Sequence, residues 1–249
     1  MRFFLYFCSK IERKMEDFFS RSDALLGAEA MEQLRTKRVI LFGVGGVGSW
    51  CAEALVRTGL THLTIVDGDT VQPSNVNRQL PATRDTLGRP KVEVLRERLL
   101  TINPEAEIKA INRMYPSREV EASEVFDFRL EEYDVLIDAI DSVSAKADLI
   151  INATRVRGLK VFSSMGAALR FDPTAVTTGE LMSIKGDALA KAVRARMKKI
   201  GLHPYRKVRC VYSTEQAQVC ETRGSLMQVT AVFGCTLAYM VIHTLKTDN

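Results

Sequence analysis

The sequence has few of the residues that build a disulfide framework or a zinc site. The cysteines are five, an odd number, and no two of them form a C-x-x-C pair; they are Cys8, Cys51, Cys210, Cys220 and Cys235. Scattered cysteines in a chain of 249 residues are typical of a reduced intracellular protein, so we expect a cytoplasmic location. Cys51 and Cys235 lie on predicted helices, where we expect them to be buried in the core.

A cleanly apolar membrane-spanning segment is also missing. Residues 226–245 are long enough for one, but Gln228, Thr230 and His243 are among the polar residues that interrupt them. We therefore expect a buried helix of the core or of a dimer interface, while peripheral or C-terminal membrane contact stays open. Residues 3–8 are too few for a signal peptide.

The domain organisation that we predict is an N-terminal extension (1–16) before one domain (17–249). The domain has a core (17–165) and a C-terminal substrate-binding part (166–249).

Short apolar runs alternate with amphipathic stretches up to about residue 165. The pattern predicts strands at 38–42, 62–66, 107–111, 133–137 and 159–163, and helices at 25–34, 49–58, 91–100 and 144–155. This alternation indicates an α/β fold with a Rossmann-like doubly wound sheet. After it we expect an extended, exposed segment at 172–178, a helix at 189–200, a strand at 207–212 and the final helix.

A glycine-rich turn lies between the first strand and the helix that follows. Gly43, Gly45 and Gly48 form G-x-G-x-x-G, with Gly46 inside it. Such glycines let the backbone approach a phosphate chain at a helix N-terminus. Asp67 ends the second strand, where an acidic residue binds ribose hydroxyls. These residues predict nucleotide binding, with NAD and ATP both possible; a purely structural turn is the alternative.

The residues after Asp67 favour a triphosphate over a dinucleotide. The polar loop contains Asp69, Asn75, Asn77, Arg78 and Gln79, and Lys91 opens the next helix. An arginine and a lysine beside one phosphate chain suit the higher charge of ATP. For either cation alone, ordinary solvated surface charge would be the favoured interpretation.

Two acids follow a later strand, in the position of a magnesium site. Asp138 and Asp141 stand at the predicted carboxyl edge of the sheet, where they could hold Mg²⁺ on the same phosphates. For Asp138, capping of the strand end is an equally good interpretation.

Together these motifs resemble the ubiquitin-activating-enzyme-like (ThiF/MoeB-type) adenylyltransferases. The resemblance implies enzymes that bind Mg-ATP and attach AMP to a carboxylate. It implies ATP binding by the glycine turn, Asp67 and the polar loop, phosphate contacts by Arg78 and Lys91, and magnesium binding by Asp141. It also implies a homodimer in which Arg21 reaches the ATP of the partner; a charge at a helix start is the alternative for Arg21.

Four further segments are similar to the tRNA threonylcarbamoyladenosine dehydratases within that group. They are Ile140-Asp-Ser-Val-Ser-Ala-Lys146, Ser163-Ser-Met-Gly-Ala167, Asp172-Pro-Thr174 and Leu189-Ala-Lys-Ala-Val-Arg194. The likeness spans roughly residues 17–245. It implies ATP-dependent dehydration of N6-threonylcarbamoyladenosine beside the tRNA anticodon, by carboxylate adenylation and cyclisation. It also points to a cysteine desulfurase or sulfur-acceptor system as a partner, and DNA is not expected.

The charge distribution favours RNA independently of this resemblance. The formal net charge is +5, yet nine basic residues and one acid give residues 182–211 a charge of +8. Lys191, Arg194 and Lys198, with Lys199 beside them, lie on the predicted helix and are candidate tRNA contacts. A solvated helix face is the alternative.

Three other functions remain open from the sequence. Adenylation of the C-terminal glycine of a ubiquitin-like sulfur carrier is the first alternative, although relatives of that type often carry two C-x-x-C pairs. A nucleotide-binding scaffold without catalysis is the second, and a NAD-dependent dehydrogenase is the third and weakest. Relatives that form thioesters keep a nucleophilic cysteine; Cys210 and Cys220 lie near the expected loop, but a lone cysteine is more often structural.

Overall fold

A seven-stranded sheet organises the protein, whose computed structural model describes residues 18–116, 127–222 and 224–247. The strands are β1 (Arg38–Phe42), β2 (His62–Val66), β3 (Glu107–Ile111), β4 (Val135–Asp138), β5 (Lys160–Ser164), β6 (Val176–Glu180) and β7 (Arg209–Ser213). Their spatial order is β3-β2-β1-β4-β5-β7-β6. All neighbours are parallel except β6 and β7. The predicted doubly wound α/β sheet is confirmed, and residues 1–16 lie outside the described part of the chain.

Seven helices of the described residues pack on the two faces of this sheet. They are α1 (Ser20–Leu26), α2 (Ala28–Thr36), α3 (Gly48–Thr58), α4 (Lys91–Ile102), α5 (Val143–Arg155), α6 (Ala188–Lys199) and α7 (Met227–Thr247). Leu41, Leu55, Leu95 and Leu237 belong to the core on the α3, α4 and α7 side. A second core, on the α5 and α6 side, includes Phe42, Ile150 and Val193. Burying both faces explains why the parallel strands are continuous apolar runs.

Two predicted segments differ from the structure. The helix predicted at 25–34 is instead two helices, because the chain turns at Gly27, whose φ of 84° a helix does not allow. The segment at 172–178 is not simply extended and exposed. Pro173–Ala175 form a 3₁₀ turn, and β6 then pairs with β7 as an antiparallel edge strand.

The C-terminal helix α7 is long and apolar enough to cross a membrane, by length and composition. Half of its apolar stretch, Met227–Lys246, is nevertheless buried inside the protein. Gly234 allows this packing, since a Cβ there would lie 2.5 Å from the Val47 carbonyl oxygen at the start of α3. Cys51 is buried at this contact, as expected, but the prediction for Cys235 is wrong because its side chain is exposed.

Candidate active site

A cavity of about 330 Å³ lies at the carboxyl edge of the sheet. Parallel strands deliver their C-terminal loops to this edge, and the point where strand order reverses, between β1 and β4, leaves a crevice. Nine of the predicted site residues line it, namely Gly43, Gly45, Gly46, Asp67, Asp69, Arg78, Gln79, Lys91 and Asp141. Residues from five separate stretches of sequence therefore converge on one volume.

The glycine turn is shaped by close backbone contacts. Gly43 has a φ of 86°, and a Cβ on it would lie 2.7 Å from the Ala139 carbonyl oxygen. A Cβ on Gly48 would lie 1.8 Å from the carbonyl oxygen of Gly43. Gly48 does not line the cavity; it lets α3 start directly beneath the turn. The N-terminus of α3 has no side-chain cap, although Ser49 N already donates to Gly45 O at 3.1 Å. A helix N-terminus without a side-chain cap favours an anion.

Asp67 is a buried carboxylate held by two backbone amides. Its oxygens accept hydrogen bonds from Val44 N (2.8 Å) and Asp69 N (2.9 Å). Burial raises the pKa of Asp67, and these amides together with the nearby Lys91 offset only part of that rise. The carboxylate is thus fixed at the cavity wall beside the glycine turn.

Lys91 and Asp69 form an ion pair at the cavity. The Lys91 ammonium lies 2.7 Å from an Asp69 oxygen, and the Lys91 side chain is only 7% exposed while that of Asp69 is 50% exposed. A buried ammonium next to a half-exposed carboxylate can also bind a phosphate without leaving its place. The interpretation of Lys91 as ordinary solvated surface charge therefore does not fit.

The polar loop holds Arg78 and Gln79 against the glycines. The Arg78 guanidinium donates to Ser74 O (2.7 Å) and to the Asn77 side chain (2.9 Å). The indole of Trp50 donates to Arg78 O at 3.1 Å. The buried Oε1 of Gln79, a residue that lines the cavity, has no hydrogen-bond partner among the described residues. An unpaired buried acceptor of this kind is a position where a ligand donor fits.

Asn75 and Asn77 do not line the cavity, although both were predicted to bind ATP. The buried Asn75 accepts hydrogen bonds at its backbone oxygen from Arg78 N and Gln79 N, and its side chain caps the preceding turn. The Asn77 amide donates to Ser225 O at 2.8 Å. Both asparagines therefore shape the loop that carries Arg78 and Gln79.

Asp138 is also outside the cavity, although it was predicted to help bind Mg-ATP. Its side chain is fully buried and forms a 2.6 Å ion pair with Lys146. The same oxygen accepts a hydrogen bond from Ser163. With its carboxylate engaged inside the protein, Asp138 has the structural role that was its alternative interpretation, whereas Asp141 is exposed and lines the cavity.

The residue types present fit a magnesium ion shared with phosphates. The described residues contain no group of three or more His, Cys, Asp or Glu side chains that could hold a metal by themselves. Mg²⁺ is commonly bound through one or two carboxylates, substrate phosphates and water. Asp141, which lines the same cavity as the glycine turn, is a carboxylate of that kind.

Sequence reasoning missed one wall of the cavity. Arg113, Met114 and Tyr115 follow β3 and line it. Behind them the Tyr115 ring packs edge-on against Phe42, with ring centroids 5.3 Å apart. The position directly after a third parallel strand was the signal that could have identified these residues.

The basic helix α6 starts at another wall of the cavity. Leu189, in its first turn, lines the cavity. Lys191, Lys198 and Lys199 are exposed. The Arg194 guanidinium is tied to Leu181 O at 2.8 Å, so its charge is partly engaged within the protein. The remaining predicted residue, Arg21, lies on α1 and does not line the cavity.

The two cysteines considered as nucleophiles differ in placement. Cys210 is buried in β7, and desolvation raises the pKa of its thiol, which keeps it protonated. Cys220 is exposed in the loop after β7. Neither lines the cavity.

Known proteins are similar to this chain in both sequence and fold. The sequence profile of the ThiF family covers residues 19–249. A tRNA threonylcarbamoyladenosine dehydratase of Bacillus subtilis is 39% identical over 197 residues, which are 79% of this chain and 74% of that protein. A tRNA threonylcarbamoyladenosine dehydratase of Haemophilus influenzae is 33% identical, and the alignment covers 92% of this chain and 94% of that protein. The crystal structure of E. coli tRNA N6-threonylcarbamoyladenosine dehydratase in complex with ATP superimposes with a TM-score of 0.82 at 33% identity, covering 92% of this chain and 94% of that one.

Proposed function

The chain belongs to the ThiF family, and on that premise we propose that it is an ATP-dependent tRNA threonylcarbamoyladenosine dehydratase. The observation that carries the proposal is the meeting of two surfaces. The cavity brings Arg78, Lys91 and Asp141 to the glycine turn. It opens beside α6, the helix that carries exposed lysines. A nucleotide site and a polyanion-binding surface thus lie side by side.

The nucleotide is ATP, held by the residues that line the cavity. The amides of the glycine turn and of the α3 N-terminus bind its phosphates, and Asp67 accepts hydrogen bonds from its ribose. Lys91 and Arg78 neutralise the phosphate oxygens that leave as pyrophosphate. Asp141 is the residue that would hold Mg²⁺, which when bound supplies further positive charge on the phosphates.

The reaction requires no nucleophile from the enzyme. An oxygen of the substrate carboxylate bonds to the α-phosphorus while the bond to pyrophosphate breaks, which gives an acyl-adenylate. An internal nucleophile of the modified nucleoside then attacks the acyl carbon, and AMP leaves with the carboxylate oxygen. The net change is the loss of one water. The chain's contribution is in-line positioning and charge stabilisation.

The enzyme acts as a homodimer in this proposal. Arg21 is outside the cavity of its own chain, and in the proposed homodimer the second copy supplies it. Large apolar side chains remain exposed on α1 and α7, with Leu25 79% and Tyr239 57% exposed. An exposed apolar surface of this kind is typical of a protein–protein contact.

ATP–pyrophosphate exchange tests the function directly. We expect exchange that depends on tRNA carrying N6-threonylcarbamoyladenosine, and a product nucleoside lighter by one water. Unmodified tRNA is the matched control and should give only background exchange. Exchange that responds instead to a ubiquitin-like carrier protein would establish the alternative, and ATP binding without exchange would indicate a non-catalytic scaffold.

A further inference from the structure

Lys146 is a fully buried lysine that the reaction described above does not use. Its ammonium lies 2.6 Å from Asp138 and 3.2 Å from Ser163 Oγ, and the side chains of both ion-pair partners are 0% exposed. Asp138 and Ser163 are directly paired across β4 and β5, and Lys146 reaches them from α5. The three side chains form one buried polar cluster behind the cavity wall.

Stability alone does not account for this cluster. Removing two charges from water costs more than their attraction commonly returns, and apolar replacements of buried ion pairs are often as stable or more stable. A buried, fully hydrogen-bonded polar network does, however, fix the geometry of the groups bonded to it. The question is therefore which part of the molecule the cluster holds in place.

The cluster is bonded to the segment that carries Asp141. We call residues 139–142 the aspartate loop. The second oxygen of Asp138 accepts a hydrogen bond from Ile140 N at 3.1 Å, and Lys146 N donates to Ser142 O at 2.9 Å. The Lys146 side chain thus reaches the loop before Asp141 through Asp138, and the backbone of α5 holds the loop after Asp141.

The same loop is in contact with the glycine turn. Ala139 N donates to Phe42 O at 2.8 Å, and the Ala139 carbonyl oxygen leaves no space for a side chain at Gly43. A loop bounded by the glycine turn on one side and by the buried cluster on the other has little freedom to move. The backbone that carries the exposed Asp141 is therefore held at the edge of the cavity.

We propose that Lys146, acting through Asp138, is a positioning residue that fixes the aspartate loop and thereby orients Asp141 toward the magnesium-bound triphosphate. The inference rests on the proposed function, because it concerns how that site binds Mg-ATP. Partners that orient a metal ligand typically contribute about 10- to 100-fold to metal affinity.

The test compares two variants with a control that disturbs a different ion pair. Lys146→Met leaves a buried unpaired carboxylate and is the variant at risk of not folding. The triple variant Asp138→Leu/Lys146→Met/Ser163→Ala makes the whole cluster apolar and avoids that cost. Glu53→Gln is the control, since Glu53 is buried in α3, pairs with Arg57 and Arg98, and does not line the cavity.

Two measurements on the free protein and on nucleotide binding decide the matter. Hydrogen exchange of the aspartate loop in the nucleotide-free protein should be faster in the triple variant than in wild type, and unchanged in Glu53→Gln. Calorimetry with a non-hydrolysable ATP analogue should show wild-type affinity without Mg²⁺. The gain in affinity on adding Mg²⁺ should fall about tenfold in the triple variant alone.

The outcomes separate the inference from the proposed function. A folded triple variant with wild-type loop exchange and a wild-type magnesium gain would overturn the positioning role while leaving the function standing. A wild-type protein that shows neither a magnesium gain nor tRNA-dependent pyrophosphate exchange would overturn both.

Discussion

The tightest constraint at the scale of single residues lies in the glycine turn. A methyl group at Gly48 would overlap the Gly43 carbonyl oxygen, and Gly43 itself is pressed against Ala139. No rotamer change can relieve a clash with a backbone group, so any side chain at Gly48 must move the turn away from α3.

Gly48→Ala is therefore expected to abolish ATP binding and to destabilise the fold by about 3 kcal/mol or more, the range of severe steric changes. Calorimetric titration with ATP and urea unfolding would measure the two effects. Gly158→Ala is the matched control for stability, because its added methyl meets no atom within 4 Å although its φ of 85° carries some strain. ATP binding by Gly48→Ala at wild-type affinity would contradict the tight-turn explanation.

Asp67 gives the site a dependence on pH. Because burial raises the pKa of this carboxyl, Asp67 gains its proton at a higher pH than an exposed aspartate does. Only the ionised carboxylate accepts from both ribose hydroxyls and the two amides. ATP affinity should accordingly start to fall, on acidification from pH 8, before ordinary aspartates protonate.

Asp67→Asn should weaken ATP binding by about 10- to 100-fold at pH 8, the loss expected for a hydrogen bond to a charged group. Its affinity should then vary less with pH than that of wild type. Calorimetry at several pH values between 8 and 5 checks both statements. An equal pH dependence in the two proteins would assign the titration to another group.

At the scale of elements, one ion-pair cluster ties α3 to α4. Glu53 of α3 is 8% exposed at its side chain and lies 2.9 Å from Arg57 and 2.5 Å from Arg98. Burial on its own would raise the pKa of Glu53, but hydrogen bonds and charge from the two arginines outweigh it and lower that pKa. A lowered folded-state pKa means that the stabilisation is present at neutral pH and is lost as pH falls through the acidic range.

Glu53→Gln should cost about 2 kcal/mol at pH 7, since it weakens two charged hydrogen bonds of a buried carboxylate. The corresponding melting temperature should fall by about 4–8 °C for a chain of this size. The difference from wild type should shrink as the pH falls below the ordinary glutamate pKa and through the lowered pKa of Glu53. Urea unfolding of both proteins at pH 7 and at about pH 3.5 measures this difference in the free energy of unfolding. A difference that does not change with pH would exclude the ion pairs as its source.

An element could be predicted when the residues that mark it are close together in the sequence, and not when it depends on residues far away in the chain. β1, β2 and α3 were found because consecutive apolar residues and a glycine turn mark them within about 30 residues of sequence. β6 was predicted only as an extended, exposed segment at 172–178, because Val176–Glu180 become a strand only by pairing with β7, a segment much later in the chain. The pairing of Asp138 with Lys146 depends on three elements meeting in space, which no spacing rule contains.

The basic helix α6 is the element at which the proposed tRNA substrate can be tested against a protein substrate. Reversal of Lys191 and Lys198 to Glu should weaken tRNA binding, and the log–log salt slope should fall by roughly 0.7–0.9 for each phosphate that the protein no longer neutralises. Arg194 is left intact because it bonds to Leu181 O. Filter binding over a range of salt concentrations measures the slope, and ATP affinity should stay unchanged.

The control for this reversal changes the same charge elsewhere. Lys109→Glu/Lys246→Glu alters two exposed lysines that do not line the cavity. Equal weakening of tRNA binding in both double variants would show a general charge effect. Normal dehydration of tRNA by the α6 variant would make its lysines an ordinary solvated face.

At the scale of the whole molecule, the position of Arg21 bears on the proposed homodimer. Phe19, next to α1, packs near Gly59 at the C-terminal end of α3. The cavity lies at the other end of that helix, which at 11 residues is about 16 Å long. Arg21 is therefore placed at the far end of α3 from the cavity of its own chain, and in the proposed homodimer a symmetric partner would bring it to the site.

Mixing two inactive variants tests this geometry. Arg21→Ala and Lys91→Ala should each lose activity as pure proteins, because each lacks one cation at every site. In a two-fold symmetric hybrid, the cavity of the Arg21→Ala chain keeps Lys91 and receives Arg21 from the other chain, so an equal mixture should recover about one quarter of wild-type activity. Subunit exchange is verified with tagged chains.

The control is a mixture of Lys91→Ala with Asp141→Ala, because both changes fall in the same cavity and no hybrid site is intact. Subunit exchange without recovery of activity would mean that Arg21 acts within its own chain or not at all. Recovery in the control as well would show that the three residues do not belong to one composite site.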